Sequence, residues 1–322
     1  MKHLACCVAA LFCVAMLGSA TAQGYPSKPV RIVMPFPPGG PTDVISRATA
    51  QRLTAVLGQP VVVENRPGAN TIIGGEMVAK AVPDGHTLLF TVNATVSINP
   101  LVYSKLPYSA ADFTPVTLVA NLTVFLMVNG DLPANSLQEF VQAAKSQPGK
   151  FNYASYGLGS NGHLEAEAFK AATGTDIVHV PFKGAAEAIP AMLAGQVHLI
   201  FSSASAGMQH IKTGRIRALA AQSTERSALL PNVPTFAESG LAGFDTKAWF
   251  GFLAPAKTPQ DIVRRLAGEI AKIVNTPEFR EKYILGYLLD AAPAGPEAMA
   301  EVMVRERENY ARTVKAANIK LD

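Results

Sequence analysis

Residues 113–129 have the sequence FTPVTLVANLTVFLMVN, two apolar runs with little loop chemistry between them. The stretch is longer than an ordinary strand, so it predicts a strand that leaves one sheet and enters another. A second apolar run, AWFGFLA at residues 248–254, predicts the return crossing. Two crossings between two α/β units form a hinge, and the gap between the units can close on a ligand.

Elsewhere, short β-branched runs alternate with helical stretches. The strand VRIVM at residues 30–34, for example, is followed by a helix with Ile45 and Leu53 on one face. This alternation is typical of βαβ units. We therefore predict an α/β protein of two lobes, each a mostly parallel sheet flanked by helices, with the two crossover strands as hinge. Domain 1 is expected at residues 24–124 plus 247–322, and domain 2 at residues 125–246.

The composition indicates a folded globular chain. Of 322 residues, 49% are hydrophobic and 16% are charged, which excludes a disordered or fibrous protein. The net charge of +4 is too small for a nucleic-acid-binding surface, and no Lys/Arg cluster supplies one locally. We expect no nucleic-acid partner.

The N-terminus is typical of an export signal. Lys2 precedes an apolar run at residues 4–17, and Ala20-Thr21-Ala22 forms a cleavage site of the small-x-small kind. The run is shorter than a bilayer span, although a retained anchor helix is the alternative. We predict a signal peptide at residues 1–22, cleaved after Ala22, and a periplasmic mature protein.

All three cysteines lie in this segment, at positions 6, 7 and 13. The predicted mature chain therefore has no disulfide, no Cys-ligated zinc and no cysteine nucleophile. Phe12 precedes Cys13, and this bulky residue argues against a lipoprotein.

Several predicted strands end in uncharged polar residues, where open α/β sheets bind ligands. Gly39 and Gly40 precede a helix, so their amides suit an anion, unless they form only a tight turn. Asn93 and Thr95 follow another strand and supply side-chain donors, with a simple turn as the alternative.

Residues 157–162, GLGSNG, match the G-x-G-x-x-G pattern between a strand and a helix. A dinucleotide site also needs an acid at the end of the next strand, and Asp176 stands before that strand instead. We favour an anion site made by the loop amides with Ser155, Ser160 and Asn161.

Two further strand ends carry candidate ligand contacts. Lys183 ends an apolar strand and offers a cation, with a solvated surface lysine as the alternative. Ser202 and Ser203 follow Phe201 and can bind a carboxylate, or form only a polar loop.

The sequence carries no G-x-S-x-G, H-E-x-x-H or G-x-x-x-x-G-K-[ST] motif. The histidines after the signal segment lack metal-ligand spacing and are expected at caps or core edges; they are His86, His163, His179, His198 and His210. We therefore predict no catalytic residue, no metal and no cofactor.

In order along the chain, many motifs are similar to those of one family. They are YPSKPVRIV at 25–33, PFPPGGPTD at 35–43, VENRPGA at 63–69, DGHTL at 84–88, residues 153–164, VPFKG at 180–184, PTFAESG at 234–240 and residues 249–259. With these motifs the chain resembles the solute receptors of tripartite tricarboxylate transporters, the Bug/TctC periplasmic binding proteins.

The resemblance implies a type II "Venus flytrap" that closes on a small carboxylate and presents it to a membrane permease. It also implies that Gly39 and Gly40 hold two ordered waters beside the ligand. The residues implied to hold the carboxylate itself are Asn93, Thr95, Ser155, Ser160 and Asn161. Water-bridged contacts are nearly as favourable as direct ones, so such a site accepts varied acids.

One departure bears on the ligand. Many relatives carry Phe-Asp where this chain has Phe201 followed by Ser202 and Ser203. Two serines cannot pair with an ammonium, so we expect a dicarboxylate whose second carboxylate lies near these serines or Lys183. Phe36 and Tyr156 can face a flat ring, which keeps an aromatic diacid such as a phthalate isomer open.

The expected protein is thus a monomeric receptor without turnover, partnered by permease subunits. A ligand-sensing subunit for a membrane signalling protein would have the same site, so only its partner would differ. A periplasmic enzyme on the same fold is a third hypothesis, and it lacks a recognisable nucleophile and base.

Overall fold

The computed structural model describes residues 24–244, 248–316 and 319–321. The predicted signal peptide lies outside these residues, and so does the predicted domain boundary near residue 246. Among the described residues, no helix has both the length and the apolar character that a bilayer crossing requires.

Six strands form the first sheet. They are β1 (Val30–Met34), β2 (Val61–Asn65), β3 (Thr87–Val92), β4 (Phe113–Leu122), β10 (Ala248–Pro255) and β11 (Asp290–Ala294), in the spatial order β11-β4-β10-β3-β1-β2. Five strands form the second sheet. They are β5 (Val124–Asn129), β6 (Phe151–Ser155), β7 (Ile177–Pro181), β8 (Leu199–Ser203) and β9 (Ile216–Gln222), in the order β7-β6-β8-β5-β9.

The long apolar stretch crosses between the sheets as predicted. Strand β4 ends at Leu122 in the first sheet, and β5 begins two residues later in the second. The later run forms β10, which pairs with β3 and β4 and returns the chain to the first sheet. Every residue of β5 and β10 is buried, which explains their continuous apolar sequence.

The expectation of mostly parallel sheets needs correction, because both sheets are mixed. Strands β1, β2 and β3 are parallel, as are β6, β7 and β8. The strands that cross between the sheets, and those beside them, pair antiparallel. A strand that enters a sheet from the other lobe arrives without a βα crossover, so its direction is not constrained to be parallel.

Helices flank both sheets. They are α1 (Pro41–Leu57), α2 (Ile72–Ala79), α3 (Asn99–Val102), α4 (Leu137–Ser146), α5 (Asn161–Thr173), α6 (Ala185–Leu193), α7 (Ala204–Lys212), α8 (Gln260–Val274), α9 (Pro277–Phe279) and α10 (Pro296–Ala316). Short π-helical segments (Ala94–Ile98, Arg280–Ile284) and 3₁₀ turns (Ala110–Asp112, Leu285–Tyr287) complete the elements.

Local sequence explains the ends of the helices that matter for the site. Helix α1 has Pro41 in its first turn and ends at Gly58, whose φ of 69° is left-handed. Helix α5 is capped by Ser160, whose Oγ accepts from the His163 amide, and ends at left-handed Gly174. The proline, the serine cap and the two glycines therefore set where α1 and α5 begin and end.

Most of the core belongs to one sheet or the other, but one small cluster joins them. It packs Leu164 of α5 in the second lobe against Ala94 and Ile98 of the first and against Tyr310 of α10. Helices α5 and α10 therefore bring buried polar groups from both lobes into contact, next to the strand ends.

Helix α5 packs closely on β8, and this approach requires a glycine. A Cβ at Gly162 would lie 2.6 Å from the carbonyl oxygen of Phe201, whereas a Cβ at the exposed Gly268 of α8 would meet nothing within 4 Å. We expect Gly162→Ala to lower the free energy of unfolding by about 1–3 kcal/mol. Gly268→Ala, the matched control, should raise it by roughly 0.5–1 kcal/mol because alanine favours the helix. Urea unfolding of both variants tests this, and equal shifts would contradict the close packing.

Candidate functional site

The carboxyl ends of the parallel strands face each other across the two sheets. Strand β3 is followed directly by Asn93, and β6 ends at Ser155 before a glycine-rich loop that leads into α5. The Nδ2 of Asn161, the first residue of α5, donates to the Oδ1 of Asn93 at 2.9 Å. The predicted donors of the two lobes therefore meet.

Residues 155–160, here called the serine–glycine loop, carry a dense set of hydrogen bonds. Ser155 is 1% exposed, and its Oγ accepts from the Gly157 amide at 3.2 Å. The Oγ of Ser160 donates to the Gly157 carbonyl at 2.7 Å. Gly157 and Gly159 have φ values of 106° and 73°, which other residues rarely adopt. The turn places hydroxyls and amides at the positive end of α5, an arrangement that suits an anion.

Asn93 is fully buried, and residues of α10 fix the orientation of its side chain. Its Nδ2 lies 3.4 Å from the Oε1 of Glu306 and 3.3 Å from the hydroxyl oxygen of Tyr310, both on α10. Because these partners accept, the amide of Asn93 must face them and its Oδ1 must face Asn161. The hydroxyl of Tyr310 in turn donates to the Oε1 of Glu165 on α5, at 3.2 Å.

Two buried carboxyl groups thus lie behind the site. Burial raises the pKa of Glu306 to about 8, and the charge of Glu165 adds to this shift, although donors from Trp249, Ser97 and Asn93 oppose it. Burial raises the pKa of Glu165 to about 7 against hydrogen bonds from Gln222 and Tyr310. At least one of the two carboxyl groups therefore tends to keep its proton near neutral pH.

Thr95 lies deeper than the sequence suggests. It is fully buried, and its Oγ1 is within hydrogen-bond distance of Thr91 Oγ1 (2.6 Å) and Thr71 Oγ1 (2.8 Å). The threonine hydroxyl therefore joins a chain of hydroxyls inside the first lobe. In this structure it supports the turn at Thr71, and a direct ligand contact would need the chain to rearrange.

That turn adds a residue that the sequence analysis missed. Ala69, Asn70 and Thr71 all have positive φ, between 45° and 73°. Such strained backbone is typical of functional sites. The Nδ2 of Asn70 donates to Asn99 within the lobe at 2.9 Å and to the carbonyl of Gly159 across the gap at 3.3 Å. Asn70 therefore faces the serine–glycine loop from the other lobe.

The carboxylate of Asp43 fixes the loop that follows β1. The amide of Gly39 donates to the Oδ2 of Asp43 at 3.0 Å. Burial acts to raise the pKa of Asp43, but donors from Arg47, Asn65 and Gly39 lower it below its usual value, so the carboxylate is charged. The Gly39 amide is therefore engaged within the turn rather than free for an anion. Gly40 precedes α1 as expected, and Phe36 is half-buried against the core of the first lobe.

The remaining predicted residues lie at or just after the carboxyl ends of β6, β7 and β8 in the second sheet. The hydroxyl of Tyr156 is 2.7 Å from Ser202 Oγ, and Ser203 Oγ is 2.8 Å from Ser205 Oγ. Tyr156 is 37% exposed, so one face of its ring remains open. Lys183 is exposed, and its amide donates to Glu187 at the start of α6. Tyr156 belongs to the serine–glycine loop, and its hydroxyl joins Ser202 to that loop.

The sequence does not predict a role for Glu165, Glu306 or Tyr310, because their contacts join distant parts of the chain. One sequence signal could have revealed Glu306: it shares the spacing of the buried Met299, Met303 and Tyr310 on α10, so it falls on the apolar face. Within the described residues, no three His, Cys, Asp or Glu side chains cluster as metal ligands.

Comparison with known proteins places the chain in a family. Residues 45–293 match TctC, the tripartite tricarboxylate transporter family receptor. The chain is 35% identical to the protein BugT of Bordetella pertussis, over 94% of this chain and 93% of BugT. It is also 38% identical to a UPF0065 protein from the tcbD–tcbE intergenic region of a Pseudomonas strain, over 91% of this chain and 87% of that protein.

Solved structures of similar proteins support the same family. Rpa4515 of R. palustris, solved with adipate, superposes with a TM-score of 0.80 at 33% identity, covering 92% of this chain and 99% of that one. MatC from Rhodopseudomonas palustris, with bound malate, gives 0.76 at 30% identity, covering 90% of this chain and all of that one. The periplasmic binding protein BugD superposes with a TM-score of 0.77 at 32% identity, covering 92% of this chain and 99% of that one, and such neighbours have a two-lobed fold, so the predicted fold class is confirmed.

The family consists of periplasmic solute-binding receptors rather than enzymes, which confirms the expectation of a receptor without turnover. Its carboxylate ligands agree with the uncharged donors gathered at the facing strand ends. By sequence, fold and site chemistry, the chain belongs to the tripartite tricarboxylate transporter receptor family and is a solute-binding receptor for carboxylates.

Proposed function

We propose that this receptor captures a small dicarboxylate between its two lobes and delivers it to the membrane permease of a tripartite tricarboxylate transporter. The observation that carries the proposal is the contact of Asn93 with Asn161 beside the serine–glycine loop. Uncharged polar groups from both lobes converge there at the positive end of α5, with donors from Asn161 and the loop in the second lobe and from Asn70 in the first, and such donors bind a carboxylate without competing counter-charges.

One ligand carboxylate would bind the serine–glycine loop, with Ser155, Ser160 and Asn161 as donors. Asn70 would approach it from the first lobe, and Asn93 would act through its hydrogen bond to Asn161, because its own amide faces Glu306 and Tyr310. Gly40 and the Gly39 carbonyl would act through waters, since the Gly39 amide is engaged by Asp43.

The second carboxylate would lie along the adjacent edge, near Tyr156, Ser202 and Ser203. The Tyr156 and Ser202 hydroxyls are 2.7 Å apart and can turn toward a ligand oxygen. Lys183 adds the cation at this edge. With no acid in the Ser202–Ser203 pair, an ammonium group would find no partner there, which favours diacids over amino acids. The partly exposed ring of Tyr156, together with Phe36, would allow an aromatic diacid.

The proposal includes the expected organisation of the chain. Residues 24–124 plus 247–322 would move as one body and residues 125–246 as the other, hinged at the two crossings. Residues 1–22 would be removed after Ala22 on export, and the mature monomer would dock on the permease.

A thermal-shift series tests the ligand class. Adipate, malate, a phthalate isomer, benzoate, citrate and glutamate are compared at equal concentration. A diacid at about 100 times its Kd should stabilise the fold by roughly 2.7 kcal/mol, which raises Tm by roughly 4 °C. Benzoate and glutamate should give smaller shifts.

Calorimetry on the best ligand then gives its affinity, and analysis of the recovered ligand checks that it is unchanged. Tighter binding of glutamate than of every diacid would contradict the assignment of the second carboxylate. If no carboxylate shifts Tm, the proposed site is wrong.

A further inference from the structure

Two histidines lie directly behind the serine–glycine loop. His179 on β7 has its Nε2 2.7 Å from the Oγ of Ser155. His163 on α5 has its Nδ1 3.2 Å from the amide of Gly159, which donates to it. The two imidazole rings stack with their centroids 4.4 Å apart, and Tyr153 stacks on His179 at 4.7 Å. Each histidine therefore touches one end of the loop, and the stack links the two contacts.

From this geometry we propose that His163 and His179 are positioning residues of the carboxylate site. They hold the serine–glycine loop in its binding shape and set the direction of the Ser155 hydroxyl proton. The inference rests on the proposed function of this loop, and it assigns roles to side chains that the loop sequence itself does not include.

The contact with Gly159 fixes the state of His163. An amide N–H donates, so Nδ1 must offer a lone pair, and the proton of the neutral ring must be on Nε2. Protonation of Nδ1 would set two donors against each other and release Gly159. His163 must therefore stay neutral for the loop to keep its conformation.

The contact with Ser155 fixes the direction of a hydrogen bond. When His179 carries its proton on Nε2, it donates to the Ser155 Oγ, and the hydroxyl proton can then turn to a ligand carboxylate. The Gly157 carbonyl, which this proton otherwise contacts at 3.1 Å, still accepts from the backbone amide of Ser160 at 3.3 Å. Binding would thus leave no buried acceptor unpaired.

The surroundings keep both rings neutral. Burial lowers the pKa of His179 to about 4, and His163 and Lys170 add to this shift while Glu167 opposes it. Burial also lowers the pKa of His163, with Glu167 opposing and Lys170 assisting. The carboxylate of Glu167 is itself occupied, because Tyr153 and Lys170 each donate to it at 2.7 Å.

Pairs of substitutions at each histidine separate the loss of its hydrogen bond to the loop from the loss of its ring packing. His163→Asn keeps an acceptor close to the Nδ1 position, whereas His163→Phe keeps a stacked ring and loses the acceptor. His179→Gln keeps an N–H close to the Nε2 position, whereas His179→Phe loses it. We expect each phenylalanine variant to lose roughly tenfold or more in affinity for adipate, and each amide variant to recover most of it.

Unfolding in urea is measured on all four variants, because a purely structural role would lower stability and affinity together. Equal adipate affinity in the native protein and both phenylalanine variants would overturn the inference. So would equal losses in the amide and phenylalanine variants at either position.

A spectroscopic measurement is independent of the ligand. In uniformly ¹⁵N-labelled protein, His163 and His179 should both show the neutral tautomer with the proton on Nε2, and the Gly159 amide should shift in His163→Phe more than in His163→Asn. A proton on Nδ1 of His163 would overturn the inference. If the native protein binds no carboxylate, the proposed function fails, and the tautomers and the Gly159 amide still decide whether the histidines hold the loop.

Discussion

The change in the free energy of unfolding caused by Glu306→Gln should be more favourable at pH 8 than at pH 5, by several kcal/mol. Glu306 is 2% exposed, and its carboxyl faces Trp249, Ser97 and Asn93, with Glu165 and Tyr310 close by. No cation is among the groups that these contacts bring to it. Ionisation inside the protein therefore places an unpaired charge in a buried site.

The direction of this pH dependence follows from the raised pKa of Glu306. A carboxyl with a pKa of about 8 in the folded protein and 4.5 when unfolded binds its proton more tightly in the folded state. Its stabilising contribution is complete below the unfolded pKa, and it is lost as pH rises from about 4.5 to 8. The loss at pH 8 is on the order of 4 kcal/mol, and glutamine, which cannot ionise, avoids it.

Urea unfolding between pH 5 and pH 8 measures the effect. Glu308→Gln, at an exposed position on the same helix, is the matched control and should follow the native curve. Parallel curves for Glu306→Gln and the native protein would contradict a buried, protonated Glu306. The result would also bear on closure, because the Asn93, Tyr310 and Glu165 contacts link the acid to the second lobe.

Much of the fold could be predicted because its signals are local. The crossing at residues 113–129 is visible as uninterrupted apolar sequence, and the turn at Gly157 and Gly159 is visible because their left-handed backbone requires glycine. The mixed direction of the sheets could not be predicted this way. Pairing of β10 with β3 and β4 is decided by which lobe the chain re-enters, and no local pattern encodes it.

Part of the geometry of the candidate site could be predicted for the same reason. Strand ends rich in Ser, Asn and Gly identify the loop and Asn161, whose neighbours in sequence position them. His179 and Tyr310 act through partners far along the chain, Ser155 and Glu165 respectively, so their isolated sequence positions carry no signal. The sequence analysis accordingly expected the histidines only at caps or core edges, and it assigned no role to the acids.

Asn161→Asp is expected to reduce affinity for adipate by roughly 100-fold or more. The Nδ2 of Asn161 donates to the Oδ1 of Asn93 at 2.9 Å. Asn93 cannot simply turn over to accommodate a carboxylate, because its own Nδ2 is directed at Glu306 and Tyr310. An aspartate would set two acceptors against each other at the interface of the lobes. It would also place a negative charge where the ligand carboxylate is proposed to bind.

The folded structure should tolerate this change, which makes the binding loss informative. Residue 161 begins α5, where an acidic side chain interacts favourably with the helix dipole and offsets part of the cost of the unpaired Asn93 oxygen, so the free energy of unfolding should fall by no more than about 1–3 kcal/mol. Gln142→Glu, an identical change of charge at an exposed position of α4, controls for net charge and should bind as the native protein does. Calorimetric titration with adipate compares the three proteins. Native-like affinity in Asn161→Asp would mean that the carboxylate binds away from the contact between Asn93 and Asn161, and the arrangement of donors proposed for this receptor would then be wrong.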